Sequence, residues 1–318
     1  MLRPVLGQRI APAPRRGVWL LAAASLLATL PDTARAQVPP AGDQVPELLR
    51  PWRGDLEAMR KRGFVRALLV YSRTFNFVDR GKQGGASYEA LRAFEEEINQ
   101  GLHNPVPRLT IVLVPVSRGE IIPALLEGKG DLAAAGLTIT PGREKQVDFS
   151  LPLYWGVSEM AVSGPGAPRV SRLEDLAGRA VHVRRSSAAW EHLEDLNRRF
   201  VEQGRAALRL VAVPEELEDE DILEMVNAGL VPLTVVDGFK ARLWRDLFPK
   251  LVFEPEVAVS TGNELGWMLR KDSPQLKAAV DAFVRGHRQG TEFGNVLVRR
   301  YEQGTGPRRR EVPALPRG

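Results

Sequence analysis

Residues 130–154 read G-D-L-A-A-A-G-L-T-I-T-P-G-R-E-K-Q-V-D-F-S-L-P-L-Y, and the rest of the chain is organised around them. The first part, 132–139, is small and apolar, with Gly130 before it and Pro141 after it, the pattern of a buried strand. Thr140 stands where a helix N-cap belongs and Pro141 at the first helical position, so a short helix starts there. Arg143 falls in its first turn, where a cation gains nothing from the helix dipole. A planar, permanently charged fork at the mouth of a strand, with Thr138 nearby, suits two-point capture of a carboxylate. The same residues also allow a surface arginine paired with Glu144 or Asp148.

Upstream, Leu48, Leu49, Trp52, Leu56 and Met59 form an apolar stripe suited to a short leading helix within the segment 37–62. Residues 64–71 (F-V-R-A-L-L-V-Y) predict a strand, and 72–85 a polar loop carrying Phe75 and Phe77. Phe75 either stacks on a ligand or caps the core. A helix follows from Ser87, with Tyr88, Leu91, Phe94 and Ile98 at helical spacing. A second strand is expected at 109–116 and a helix at 120–126, ended by Gly128 and Gly130. Strand, helix, strand, helix, strand is the order of a wound parallel sheet, whose ligands sit at the carboxyl ends of strands. That rule puts residues 71–75 and 138–143 on one rim.

Downstream, 157–163 reads as another strand, followed by G-P-G-A-P at 164–168. A second α/β set then begins, with a short helix at 173–176, a strand at 180–183 and a helix at 188–200 burying Ala189, Leu193, Leu196 and Phe200. Ser186 and Ser187 precede that helix, Ser187 as its N-cap, and free N–H groups, a hydroxyl and the dipole together favour an anion there. A plain cap serving only the helix is the alternative. Arg184 and Arg185 either select a ligand with a second acid or face solvent. The acidic run 215–221 (E-E-L-E-D-E-D) reads as a helix start whose first-turn acids suit the dipole, ahead of Ile222, Leu223 and Val226. Strand 230–236 ends at Asp237, placed across a cleft from Arg143 by topology. Its carboxylate either pairs with a ligand's ammonium or caps a helix at 239–244. Residues 257–262 lead back to the first lobe, 265–270 add a strand and 273–287 a helix.

The segment 131–154 resembles the signature of the family 3 solute-binding proteins, periplasmic receptors for amino acids and related solutes. The resemblance implies a two-lobed α/β fold of the type II periplasmic binding class, each lobe a wound sheet flanked by helices, with two hinge connections. Lobe one would be 63–157 plus 263–303, and lobe two 158–262. It gives Arg143 the ligand's α-carboxylate, with contacts from Gly136 and Thr138; it adds Ser186 and Ser187 to the carboxylate's holders and assigns Asp237 to the α-ammonium. The words 184–190 (R-R-S-S-A-A-W), 217–237 and 267–284 narrow the likeness to the solute-binding half of the membrane-bound lytic transglycosylases F and their free-standing relatives. Those enzymes continue into a lysozyme-like catalytic domain, whereas this sequence ends in P-R-R-R-E-V-P-A-L-P-R-G, so glycan cleavage is not expected.

The first 36 residues carry Arg3, Arg9, Arg15 and Arg16, an apolar run at 18–30 and Ala34-Arg35-Ala36, which reads as a secretory signal. No cysteine is present to carry a lipid anchor, so export to the periplasm without a lipid tether is expected. The signal holds five arginines and one aspartate, and the segment 304–318, expected to be disordered, holds four arginines and one glutamate. The pI of 9.7 therefore belongs largely to the two ends, which removes the main support for nucleic-acid binding. The four histidines (His103, His182, His192, His287) have no zinc-like spacing, and neither a metal nor a cofactor is expected.

These readings converge on a monomeric receptor that closes on a small zwitterionic solute and serves ABC-type uptake through a membrane permease. A sensor of cell-wall peptides is one alternative. A cleft enzyme of the cyclohexadienyl dehydratase type is another, but it needs a general acid or base that the sequence does not locate.

Overall fold

The computed structural model describes residues 48, 50–101 and 108–302. The expected signal, most of the leader up to residue 49, His103 and the tail 304–318 lie outside the described residues. The elements run in the order α1 (Leu56–Arg62), β1 (Phe64–Leu69), β2 (Phe77–Asp79), β3 (Lys82–Gly84), α2 (Ala86–Ile98), β4 (Thr110–Pro115), α3 (Ile121–Leu126), β5 (Leu132–Thr138), α4 (Pro141–Glu144) and β6 (Asp148–Phe149). Then come β7 (Tyr154–Ser163), β8 (Ala180–Val183), α5 (Ala188–Glu202), β9 (Arg209–Ala212), α6 (Asp219–Ala228), β10 (Leu233–Asp237), α7 (Gly238–Arg245), β11 (Ala258–Leu269), α8 (Pro274–His287) and α9 (Glu292–Leu297).

The main sheet has the order β10-β7-β11-β5-β1-β4, with β6 paired to β11. β1 lies parallel to β4 and β5, as the alternation of strands and helices requires, and β11 closes on β5 antiparallel. β5 is buried on both faces, which explains its uninterrupted apolar run. Leu132 and Ala134 turn toward the cluster of α2 and α8, where Phe94, Trp267 and Phe283 meet with ring centroids 5.3–5.6 Å apart. Ala133, Ala135 and Leu137 turn to the other face, with Leu68, Ile121 and Leu125.

The long strands β7 and β11 carry the chain from the first lobe into the second and back. Their pairing shifts register three times between Ala258 and Leu265, so the expected break between 262 and 265 is a set of bulges within one strand. The second lobe departs from a single wound sheet. β8 pairs only with β9, in parallel, and the Thr234 hydroxyl of β10 donates to the His182 carbonyl of β8 at 2.7 Å. Its core lies between these strands and α5 on one side, and α6 with α7 on the other. β10 begins at Leu233 rather than 230, because Gly229 ends α6 in the left-handed conformation and leaves Leu230 74% exposed.

Asp131, just before β5, anchors the first lobe. Its carboxylate accepts from the Arg66 backbone N–H at 2.7 Å and from the Arg66 and Arg62 guanidinium groups at 2.9 and 2.5 Å. Arg66 also donates to the carbonyls of Arg50, Trp52 and Gly128, which fastens the chain ahead of α1 to the sheet. Asp131 and Arg66 are both fully buried. Replacing Asp131 by alanine leaves those guanidinium groups without their counter-ion, and a loss of about 3–5 kcal/mol is expected in urea unfolding. A loss under about 1 kcal/mol would show that the carbonyl contacts suffice.

Candidate ligand-binding cleft

α4 begins as its sequence requires. Thr140 is extended, its hydroxyl accepts from the Arg143 N–H at 3.3 Å, and Pro141 opens the helix. The turn directs Arg143 back along β5, where one guanidinium nitrogen donates to the Thr138 carbonyl at 2.8 Å. The other reaches the second lobe and donates to the Ser186 carbonyl at 2.7 Å. Arg143 is 7% exposed, and its ion pair, 3.4 Å long, is with Glu191 of α5 rather than with Glu144 or Asp148. Burial lowers its pKa against the pull of Glu191, which marks a guanidinium short of counter-charge.

Between the lobes lies a cavity of about 390 Å³. Its walls include Gly136, Thr138, Arg143, Ser186, Ser187 and Asp237, so six of the seven residues singled out from the sequence meet there. The seventh, Phe75, takes the core alternative. It is 3% exposed, packs edge-on against Phe239 of the second lobe at 6.3 Å, and lines only a smaller apolar hollow behind Gly136. Gly136 has φ +59, and a Cβ there would come within 2.6 Å of the Phe75 ring. Glycine at this position serves both the left-handed turn and the aromatic contact.

Ser187 caps α5, accepting from the Trp190 N–H at 3.1 Å and donating to the Arg184 carbonyl at 2.7 Å. Ser186 turns its hydroxyl and its N–H to Glu215, the N–H at 3.1 Å. Arg184 lines the cavity but is buried on Asp219 rather than facing solvent, whereas Arg185 is exposed over the Trp190 ring.

The acidic run does more than start a helix. Glu218 grips Arg118 of the first lobe through two bonds of 2.9 and 2.6 Å, and Arg118 also donates to the Ala135 carbonyl of β5 at 3.1 Å. Glu220 accepts from the Ser72 hydroxyl at 2.8 Å and from the Arg73 backbone, both just beyond β1. Asp221 and Glu224 pair with the Arg73 side chain. Asp219 stays within the second lobe, between Arg184 and Lys240, and Lys240 also faces Asp237 at 2.9 Å. Burial alone would raise the Asp219 carboxyl, but these two cations outweigh it and hold it far below the usual range. Burial opposes the Arg118 charge in the same way, and Glu218 reverses the balance, raising the guanidinium pKa.

Glu159 of β7 was not foreseen. It stands opposite Asp237 in the β7–β10 ladder, lines the cavity and is 2% exposed. Burial pushes its carboxyl up, with Asp237 adding to the effect. Its oxygen lies 2.7 Å from His192 Nδ1, and that hydrogen bond raises the imidazole pKa. Among the described residues, no group of three or more His, Cys, Asp or Glu is arranged to hold a metal ion, and no helix is long and apolar enough to cross a membrane.

The fold and this cleft are those of a two-lobed solute receptor. Residues 68–299 match the family model described as bacterial extracellular solute-binding proteins, family 3, and the chain belongs to that family. It is 28% identical over 245 residues to membrane-bound lytic murein transglycosylase F of Ectopseudomonas mendocina, covering 74% of this chain and 46% of that protein. The enzyme of the same name from Saccharophagus degradans is 31% identical over 163 residues, 51% of this chain and 30% of that one. The chain thus spans less than half the length of these relatives. Among solved structures, the substrate-binding protein AbpA of Streptococcus pneumoniae bound to L-arginine superposes with a TM-score of 0.65 at 21% identity, over 78% of this chain and 98% of that one. The ancestral amino-acid-binding protein AncCDT-1, a precursor of cyclohexadienyl dehydratase, gives 0.60 at 23% identity, over 77% and 98%.

Two expectations follow from the charges. Glu218→Ala leaves Arg118 without its counter-ion at the seam, and the radius of gyration in small-angle X-ray scattering should rise with circular dichroism unchanged. An unaltered radius would mean that the pair does not hold the lobes together. Glu159 and His192 both bind their protons more tightly when folded than their usual values, 4.5 and 6.5. The folded state therefore holds more protons than the unfolded chain, and stability falls as pH rises through the raised His192 value. Between about pH 6 and about pH 9 the wild-type melting temperature should drop more than that of His192→Gln. Parallel curves would contradict the assignment.

Proposed function

We propose that this chain is an envelope solute receptor whose two lobes close on a small carboxylate-bearing solute of the amino-acid kind. It works as a monomer and delivers the solute to an ATP-driven membrane permease. The observation that carries this reading is Arg143. It is a buried guanidinium on the cavity wall, it bridges the lobes through two neutral carbonyls, and its carboxylate partner is 3.4 Å away with a side chain 36% exposed. A ligand carboxylate can displace Glu191 into solvent and satisfy both the charge and the fork geometry. The N–H groups at the start of α5, capped by Ser187, supply further donors on the facing wall. A cavity of about 390 Å³ suits a small solute, near the lower end of the usual range for such sites.

The named relatives favour a second reading, in which the same closure reports cell-wall peptides. That reading shares the carboxylate anchor and differs only in what the closed form contacts. Glu159 favours a third, a cleft enzyme, since it is a buried carboxyl raised toward the range of a general acid.

A thermal-shift panel of amino acids, wall peptides and prephenate-like acids separates these readings. A true ligand at a hundred times its dissociation constant stabilises by about 2.7 kcal/mol. The shift is expected to vanish in Arg143→Ala, and a shift that persists in that variant would remove Arg143 from the site. Product formed from a prephenate-like acid would establish the enzyme.

A further inference from the structure

Each carboxylate on the cavity wall already has a partner from the chain itself. Asp219 lies between Arg184 and Lys240, Asp237 lies 2.9 Å from Lys240, Glu159 is held by His192, and Glu191 is on Arg143. Arg184, Lys240, Asp219 and Asp237 form a closed set of two cations and two anions whose side chains are between 2% and 12% exposed. Lys240 is the member that bears on ligand choice. Its ammonium group occupies a face of Asp237 that would otherwise receive a ligand's ammonium, and it cannot retreat to solvent, being 2% exposed beneath the Phe75 and Phe239 rings. An α-ammonium approaching Asp237 would meet a like charge a few ångströms away in a site of low dielectric.

Glu159 offers no substitute. It is bonded to His192, and burial disfavours its ionised form. At the other end of the cavity, Arg143 spends its hydrogen bonds on two carbonyls, and its ion pair is with the part-exposed Glu191, while Glu159 and Asp237 act on it from farther away. Arg185, exposed at the cavity edge, adds positive charge. The cleft thus carries its excess of positive charge at Arg143 and Arg185.

We propose that the ligand is a small carboxylate anion without a free α-ammonium, an acid whose α-nitrogen is acylated or replaced by oxygen, with Lys240 standing in for the ammonium of an amino acid. This rests on the reading of Arg143 as the carboxylate anchor. It assigns Lys240 as a specificity residue, since excluding an ammonium by a fixed like charge discriminates without contacting the rest of the ligand.

The test is calorimetric titration of the wild-type protein with matched compounds. Each standard amino acid is run beside its N-acetyl and 2-oxo counterparts, and the series is repeated with Arg143→Ala and Lys240→Met. In at least one set the N-acetyl or 2-oxo compound should bind about tenfold or more tighter than the amino acid, with binding lost in Arg143→Ala. Lys240→Met, checked by its thermal melt, should shift that preference toward the amino acid by releasing Asp237. The wild-type comparison decides even where that variant does not fold. If the amino acid binds tighter in every set and needs Arg143, the inference is overturned while the receptor reading stands. If binding is absent throughout, or indifferent to Arg143→Ala, the receptor reading fails and this inference fails with it.

Discussion

Buried charge must be paired, and the pairing of Arg118 with Glu218 is where this requirement shapes the whole molecule. Neither group can be left alone where both are buried between the lobes. Each is fixed in its own lobe, Arg118 by the Ala135 carbonyl and Glu218 by its capping of α6. Bringing them together sets the distance between the carboxyl ends of the first lobe's strands and the start of α6. Ser72 and Arg73 then fall on Glu220. The Phe75–Phe239 contact adds an apolar point to a junction that is otherwise ionic. An ionic seam suits a part that must open, because water can solvate the separated charges far better than it can solvate exposed apolar surface.

The same constraint explains why the cavity wall is rich in charge and yet near balance. Arg184, Lys240, Asp219 and Asp237 hold one another in place without needing a ligand's charge. Arg143 is the exception, tied to carbonyl dipoles and to a carboxylate that can swing away. The family membership fits this arrangement, and the two hinge strands β7 and β11 give the lobes a path along which to move.

Much of this was legible in the sequence. Small residues bounded by glycine and Thr-Pro announced β5 and α4, and the structure places both there. Ser187 was readable as a cap, because capping is a local matter settled within four residues. The pairings across the seam were not readable. Arg118 and Glu218 are a hundred residues apart, and an acidic run at a helix start already has a sufficient local explanation in the dipole. Glu159 was hidden for a similar reason, since a single acid within an apolar strand gives no sign of which face it takes until its partners β10 and α5 are in place. Phe75 was open in the sequence between a ligand and the core. A loop aromatic beside a rim suggests stacking on a ligand, but burial against Gly136 and Phe239 claimed it first.

A crystal structure of the protein with its ligand bound would show which residues hold the ligand's carboxylate. A ligand carboxylate is expected within hydrogen-bond reach of the Arg143 guanidinium, with Glu191 turned to solvent and Lys240 still between Asp219 and Asp237. A ligand seated elsewhere, with Arg143 still on the Thr138 and Ser186 carbonyls and Glu191 beside it, would contradict the account.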